Sequence, residues 1–490
     1  MDGNTTAEPL SALDAAFLLF ERPGQPLVVG CVAELDGPIE PPRLLERLEA
    51  LVETHPRFAK RPVRLALDLE RPTWENDPDF ALIRHLRTAD WPAPGDDGAL
   101  RDLAETALSS ALRPDRPPWE IVTIAGGAAG RSALLLRAHH CLLDGMSGMR
   151  VIELLCDATG ATATRRRRGP RRAASANGRA HPFAAEPEGA PIWNHVRDMA
   201  ELTSTAVSLL HEDPAPPTPL NAPLGRRRRV AWKTFDRAAY GPVCTETGST
   251  VNDVALTVIA GALRRYLWRH HRPSSKKALR TLVPVSLRGN GHEPKLGNLV
   301  SAMFPRLPVD VADPLERLEH ISAEIRSLRA RGQPRATAYG LRMVGALPPV
   351  VESVLPLLVP PTPLVNTVCT NVPGPKEART IAGSPLRALH GVVPLFHAIG
   401  VGFAIVTHDA RLSICAHFDP SVIRDGDALA RDLEVAFTQL RRAEKRTREH
   451  RREIKRLGAL LRPVSRFDAK HAATGAKRAP RRTRRGDAPS

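Results

Sequence analysis

The sequence predicts a mixed α/β (α+β) chain built as two comparable domains. Three observations carry that expectation. The 490 residues exceed what one hydrophobic core usually supports. At 42% hydrophobic residues there is apolar material for two cores. Strand-like and helix-like stretches also alternate in both halves, on either side of an arginine- and proline-rich interruption. The expected division is an N-terminal domain over 1–156, a linker with one helix over 157–223, a C-terminal domain over 224–445, and a basic, disordered tail over 446–490.

The elements follow in order. Ser11 to Glu21 reads as a short helix, with Ser11 and Asp14 spaced as in a capping box. Leu27 to Leu35 is strand-like. Arg43 to Val52 is an amphipathic helix with Leu44, Leu45, Leu48, Leu51 and Val52 on one face. Ser132 to Leu136 is a compact apolar strand that ends at His139-His140, and a helix with Met149, Ile152 and Leu155 on one side follows it. Residues 157–190 mix Ala, Thr, Arg, Gly and Pro without periodicity and read as a linker. Helical spacing returns from Ile192 to Leu210, and residues 213–223 are again proline-rich. The second domain opens near Arg229. Its strongest helix starts at Val251 and runs to about Trp268, with Val251, Val254, Ala255, Val258, Ile259 and Ala262 at helical spacing. Leu282–Val285, Ala398–Val406 and Leu412–Phe418 are strand-like. A charged helix begins near Ala428 and is expected to dissolve into the tail.

The net charge of +17 suggests a nucleic-acid binder until its distribution is read. Residues 441–490 hold 18 Lys/Arg against 5 Asp/Glu, and residues 161–190 hold 7 Arg against 2 Glu. These two segments account for the whole excess, so the folded body is near neutral. No basic folded face and no nucleic-acid motif is present, and no specific nucleic-acid partner is expected. Weak attraction of the basic runs to anionic lipid is the alternative. The six cysteines have no metal-like spacing, and the N-terminus shows no secretory signal, so free thiols in a reducing cytoplasm are expected. No apolar run reaches the ~20 residues that span a bilayer. The nearest, Leu347 to Val365, contains Glu352 and six prolines and reads as a greasy surface or tunnel-lining segment.

The chemistry concentrates in Ala138-His139-His140-Cys141-Leu142-Leu143-Asp144-Gly145. Adjacent side chains on a strand point to opposite faces, so one histidine faces a cleft and the other is packed. A metal site would have two or three ligands here and no obvious fourth. A purely structural pair is the plain alternative. General-base catalysis fits the strand-end placement and the Asp-Gly turn, since an imidazole exchanges its proton near neutral pH. No Gly-x-Ser-x-Gly elbow points to an acyl-enzyme.

This stretch resembles the His-His-x-x-x-Asp-Gly signature of the CoA-dependent acyltransferase superfamily. Four further stretches resemble its wax ester synthase/diacylglycerol acyltransferase branch: Pro9 to Phe17, Val251-Asn252-Asp253-Val254, Leu282 to Arg288 with Gly297-Asn298, and Thr370-Asn371-Val372-Pro373-Gly374-Pro375. They run in family order from residue 9 to about residue 420. The resemblance implies two chloramphenicol-acetyltransferase-like domains with a cleft or tunnel between them. It implies His140 as general base, His139 as support at the cleft wall, Asp144 as a salt-bridged anchor of the loop, and Gly145 at its tight turn. Asn252, Asp253, Asn371, Pro373 and Gly374 are the implied substrate-binding residues, although Asp14 and Asp253 also fit plain helix caps, and Pro373-Gly374-Pro375 a plain turn. Acyl-CoA is the implied co-substrate, diacylglycerol or a long-chain alcohol the acceptor, and no cofactor or metal is implied. A same-fold enzyme with an amine or carrier-bound acceptor and a non-catalytic lipid-binding protein are the rivals. The expected location is cytoplasmic, with contact to a membrane or lipid-droplet surface. The chain departs from the family at Pro117-Pro118-Trp119, where Pro-Leu-Trp is common, and at Thr407-His408, where Ser-Tyr is frequent.

Overall fold

The computed structural model describes residues 7–22, 24–64, 70–157, 215–270, 278–286, 300–345 and 364–460. Most of the linker with the helix expected at Ile192–Leu210, the loop carrying Leu287, Arg288, Gly297 and Asn298, the apolar run up to Pro363, and the tail beyond 460 lie outside the described residues.

The first half of the chain contributes β1 (Glu8–Pro9), α1 (Ala12–Phe20), β2 (Val28–Leu35), α2 (Pro41–Thr54), β3 (Lys60–Val63), β4 (Thr73–Asn76), β5 (Leu86–Asp90), α3 (Asp97–Leu108), β6 (Trp119–Ala125), β7 (Ser132–His139) and α4 (Gly145–Leu155). The second half adds β8 (Arg229–Asp236), α5 (Arg237–Thr247), α6 (Val251–His270), β9 (Leu279–Ser286), β10 (Val300–Met303), β11 (Arg306–Leu307), α7 (Pro314–Ala330) and α8 (Gln333–Gly345). After these come β12 (Thr367–Pro373), β13 (Thr380–Ile381), β14 (Ser384–Val392), β15 (Val401–His408), β16 (Arg411–Phe418) and α9 (Gly426–Leu460).

Two mixed sheets form the frame. The N-terminal sheet has the order β13-β14-β2-β7-β6-β5, and the C-terminal sheet β10-β9-β12-β15-β16-β8 with β11 on β9. Period-2 alternation explains how β7 is covered on both sides. Leu134, Leu136 and Ala138 join the apolar cluster of Leu44, Leu48 and Leu51 from α2 and Met149, Ile152 and Leu155 from α4. Ala133 and Leu135 face the opposite cluster, with Leu100, Ala104 and Leu108 of α3 and Trp232 of β8. The α2 stripe read from sequence is thus a core stripe, with Leu45 and Val52 at its half-buried margins.

In the second half α6 is buried nearly all round from Asp253 to Leu263. It packs in one apolar cluster with α7, α9 and the C-terminal sheet. Gly261 allows α9 close approach, since a Cβ there would come within 2.9 Å of the Ala436 Cβ.

Two findings modify the sequence expectations. Strands β13 and β14 come from the C-terminal half yet extend the N-terminal sheet, β14 pairing antiparallel with β2 from Leu386↔Leu35 to Val392↔Gly30. Residues 1–441 accordingly form one compact unit and 442–490 another. The expected disorder from residue 446 does not hold for 446–460, which continue α9. No Gly or Pro interrupts residues 427–457. Glu444–Arg448 at 3.4 Å, with Glu444 buried, and the exposed Lys445–Glu449 at 3.8 Å are i,i+4 ion pairs that support the helix.

Candidate active site

The site grows from the end of β7. His139 closes the strand, its backbone N–H donating to the Pro118 carbonyl at 2.9 Å, and the His140 N–H donates to the Leu27 carbonyl at 2.8 Å. Neighbouring strand ends therefore fix the backbone on both sides. The chain then turns, with the Leu142 N–H donating back to the His139 carbonyl at 2.9 Å.

The two histidines have different surroundings, as strand alternation predicts. His139 is buried, and its Nδ1 accepts from the Cys141 N–H at 3.1 Å. That places its proton on Nε2, which lies 3.4 Å from the Glu21 carboxylate. Burial alone would push the Glu21 carboxyl up. The contact with His139, together with the Leu27 N–H, outweighs it and holds the group below the usual carboxylate range. His140 is half-buried, and its ring stacks on Phe17 with centroids 3.9 Å apart and planes 9° from parallel. Helix α1 makes this stack. Ser11 caps it by accepting from the Asp14 N–H at 3.1 Å, which fixes where Phe17 falls. Cys141 is fully buried, and burial holds its thiol far above its ordinary range, so it is no nucleophile.

Asp144 is buried and caps α4, accepting from the Ser147 N–H at 2.7 Å. Gly145 opens that helix directly against β12, where a Cβ would meet the Val372 Cγ2 at 2.9 Å. Gly374 lies against the same helix, since its Cβ would be 3.3 Å from the Met149 sulfur and 2.8 Å from the Thr407 carbonyl. The motif helix and the Asn-Val-Pro-Gly-Pro strand are thus one packed unit.

Asn371 points to the other face of β12, opposite Val372. There its Nδ2 donates to the Asn252 Oδ1 at 3.1 Å. Asn252 sits on the first turn of α6, beside a reciprocal cap. The Thr250 N–H donates to Asp253 Oδ2 at 2.9 Å, and the Asp253 N–H donates to the Thr250 hydroxyl at 3.2 Å. These contacts account for Asp253 as a cap. The second Asp253 oxygen has no hydrogen-bond partner among the described residues.

Val372 and Asn371 thus turn to opposite faces of β12, one packed on the start of α4 at Gly145 and the other bonded to Asn252. Sequence reading missed Glu21 and the use of Phe17, because their partners lie more than a hundred residues away. Both departures from the family pattern touch this frame. The Pro118 carbonyl receives His139, and the buried Trp119 donates from its indole to the Phe58 carbonyl at 2.8 Å. The Thr407 carbonyl receives the Gly374 N–H at 2.7 Å, and the buried His408 faces the Pro375 and Leu386 carbonyls. Among the described residues no group of three or more His, Cys, Asp or Glu is arranged to hold a metal ion. All six cysteines are unpaired.

Known proteins extend this picture. The family model of the wax ester synthase/diacylglycerol acyltransferase catalytic domain matches residues 10–255, and that of the family's C-terminal domain matches residues 296–441. The probable diacylglycerol O-acyltransferase of Mycobacterium tuberculosis is 31% identical over 465 residues, covering 92% of this chain and 98% of that protein. The solved wax ester synthase/diacylglycerol acyltransferase from Marinobacter aquaeolei superposes with a TM-score of 0.65 at 22% identity, over 89% of this chain and all of that one. The starter condensation domain of rhizomide synthetase, solved in complex with C8-CoA and Leu-SNAC, gives 0.58 at 14% identity over 90% and 95%. At those identities the structural likeness shows the shared two-domain α/β fold alone. The two domain matches and the identity across nearly the whole chain establish that the protein belongs to the wax ester synthase/diacylglycerol acyltransferase family of acyltransferases.

Proposed function

We propose that the protein transfers a long-chain acyl group from acyl-CoA to the hydroxyl of diacylglycerol or a fatty alcohol, giving triacylglycerol or wax ester, with His140 as the general base. The observation that carries the assignment of the base is the environment of the two histidines. His139 is buried and committed to the Cys141 N–H and Glu21, while His140 is half-buried with its ring plane fixed by Phe17.

In this reading neutral His140 takes the proton of the acceptor hydroxyl as its oxygen attacks the thioester carbonyl. The tetrahedral oxyanion collapses, the carbon–sulfur bond breaks, and the departing CoA thiolate takes the proton from the imidazolium. Two held substrates and one positioned base suffice, and no acyl-enzyme forms. Asp144 and Gly145 hold the turn that carries the base. Asn252, Asn371, Pro373 and Gly374 form part of the substrate cleft between the domains, and Asp253 caps the helix that presents Asn252. Acyl-CoA is a co-substrate and no resident cofactor takes part. Acceptors of this kind reside in lipid phases, so the protein works at the surface of a membrane or lipid droplet on the cytoplasmic side.

The test incubates the purified full chain with palmitoyl-CoA and either diacylglycerol or hexadecanol, and follows CoA release beside a His140→Ala control. Release that falls by roughly a thousandfold or more in a folded His140→Ala protein supports the reading, since a lost base costs on the order of 10²–10⁴. Retained turnover in that variant removes His140 from the role. No release by the wild type with either alcohol moves the assignment to an amine or carrier-bound acceptor, or to lipid storage.

A further inference from the structure

We infer that the part of α9 beyond residue 441 is a docking face for an anionic lipid bilayer. Residues 442–457 carry eight Lys/Arg against three Glu, whereas the chain outside the basic runs is near neutral. They form about four helical turns, roughly 24 Å of continuous helix. At 100° per residue, Ile454 and Leu457 share one face with Thr447 and His450, whereas Ala443, on the same line at the start of the segment, is buried. Arg448, Arg452 and Lys455 lie towards the other side, and Arg451 flanks Ile454. The two aliphatic side chains are 56% and 51% exposed.

A helix that is only solvated has no use for two large aliphatic side chains on its least charged face. Charge alone would suit any polyanion, nucleic acid included. The exposed Ile454 and Leu457 favour lipid, because an interfacial helix sinks its apolar strip among the acyl chains while its cations meet the headgroups. Two aliphatic residues bury little area, so electrostatic attraction dominates and added salt weakens the binding. No helix among the described residues is long and apolar enough to cross a membrane, so this one is placed on the surface.

The matched family domains end at residue 441, so the docking face lies outside both. None of its residues is among those assigned to acyl transfer, and its test stands apart from that reading. Full-length protein is sedimented with neutral phosphatidylcholine vesicles, and with vesicles in which about a third of the lipid is phosphatidylglycerol. Two variants accompany it. One is Ile454→Ser with Leu457→Ser; the other replaces Arg448, Arg451, Arg452 and Lys455 by Gln, which keeps helix propensity.

The expected result is retention on anionic vesicles only, reversed by salt, and weakened roughly tenfold or more in each variant. The serine variant should still bind duplex DNA as the wild type does. Equal vesicle binding by the wild type and the serine variant, or no retention on anionic vesicles, overturns the proposal. Tighter binding to duplex DNA than to the vesicles does so too, in favour of a nucleic-acid partner. Release of CoA with a detergent-solubilised alcohol should be unchanged in both variants. Vesicle binding can therefore fail while acyl transfer stands, and the reverse.

Discussion

His140 stacks its ring on Phe17, and His139 pins the turn that follows it. Phe17 lies parallel to the imidazole at 3.9 Å, so rotation about the last side-chain torsion of His140 would break the stack. His139 pins the turn by accepting from the Cys141 N–H, and Glu21 holds the tautomer that makes this possible. If Glu21 became neutral, the His139 proton could move to Nδ1, and the acceptor for Cys141 would be lost. Glu21→Gln should therefore slow catalysis by about tenfold with KM nearly unchanged, because a small displacement of a catalytic group costs one to two orders of magnitude. Glu21→Asp should restore part of the rate. A Gln variant with wild-type kcat would reduce Glu21 to a helix-end contact. The effect is on rate more than stability, since the Glu21 side chain is a third exposed and such a pair contributes little to folding.

At the scale of elements, the decisive contact is α4 against β12. Gly145 has no conformational reason to be glycine, since its backbone is that of an ordinary helix start; the reason is space. A methyl group there would sit 2.9 Å from the Val372 Cγ2, and a buried β-branched side chain cannot swing aside. Gly145→Ala should cost about 1–3 kcal/mol through overpacking and lower activity by shifting the turn that carries His140. Val372→Ala makes a small cavity alone, yet should offset much of that cost in the double variant. Melting temperatures of the four proteins test this, and strictly additive losses would mean that the two residues do not press on each other. The sequence announced α1, β7 and α4 because their signals are local: a serine cap, an apolar run ending in His-His, and an Asp-Gly helix start. It did not announce that β14 joins the N-terminal sheet, although Ser384 to Val392 partly alternates between buried and exposed. Nor did it show that Asn371 meets Asn252, or that Pro118 receives His139. Those pairings join segments separated in the chain, and residue type at one position carries no record of the partner. The histidine motif was legible since all its parts lie within seven residues. The walls around it were not.

For the whole unit of residues 1–441, the two sheets are joined through buried histidines. His390 of β14 reaches Ser413 of β16 at 2.7 Å and Glu34 of β2 at 2.8 Å, so one ring bridges both sheets. Trp232 of β8 stacks on it at 4.5 Å. Beside this bridge, His417 of β16 donates from Nδ1 to the Val393 carbonyl at 2.6 Å, while its Nε2 has no hydrogen-bond partner among the described residues. Burial drives the His417 imidazole down to about 4, and the nearby Arg228 charge adds to this; the Val393 bond and Asp419 oppose it without prevailing. The native state therefore keeps His417 neutral through a pH range in which the unfolded chain, with an ordinary value of about 6.5, becomes protonated. Its contribution to stability is complete above about pH 6.5 and is lost as pH falls from there towards 4. The loss reaches on the order of 3 kcal/mol at the acid end. His85, also held below its ordinary value by burial, acts in the same direction, so the whole-protein slope is a sum. Denaturant midpoints taken between pH 7.5 and 5.5 should fall in the wild type and fall less steeply in His417→Gln, which can still donate to Val393. This window lies above the ordinary range of carboxylates, so few acidic groups contribute to the slope. An identical slope in the two proteins would show that His417 takes up its proton without disturbing the junction. A flatter slope would make acid loosening of the inter-sheet junction a property of this residue.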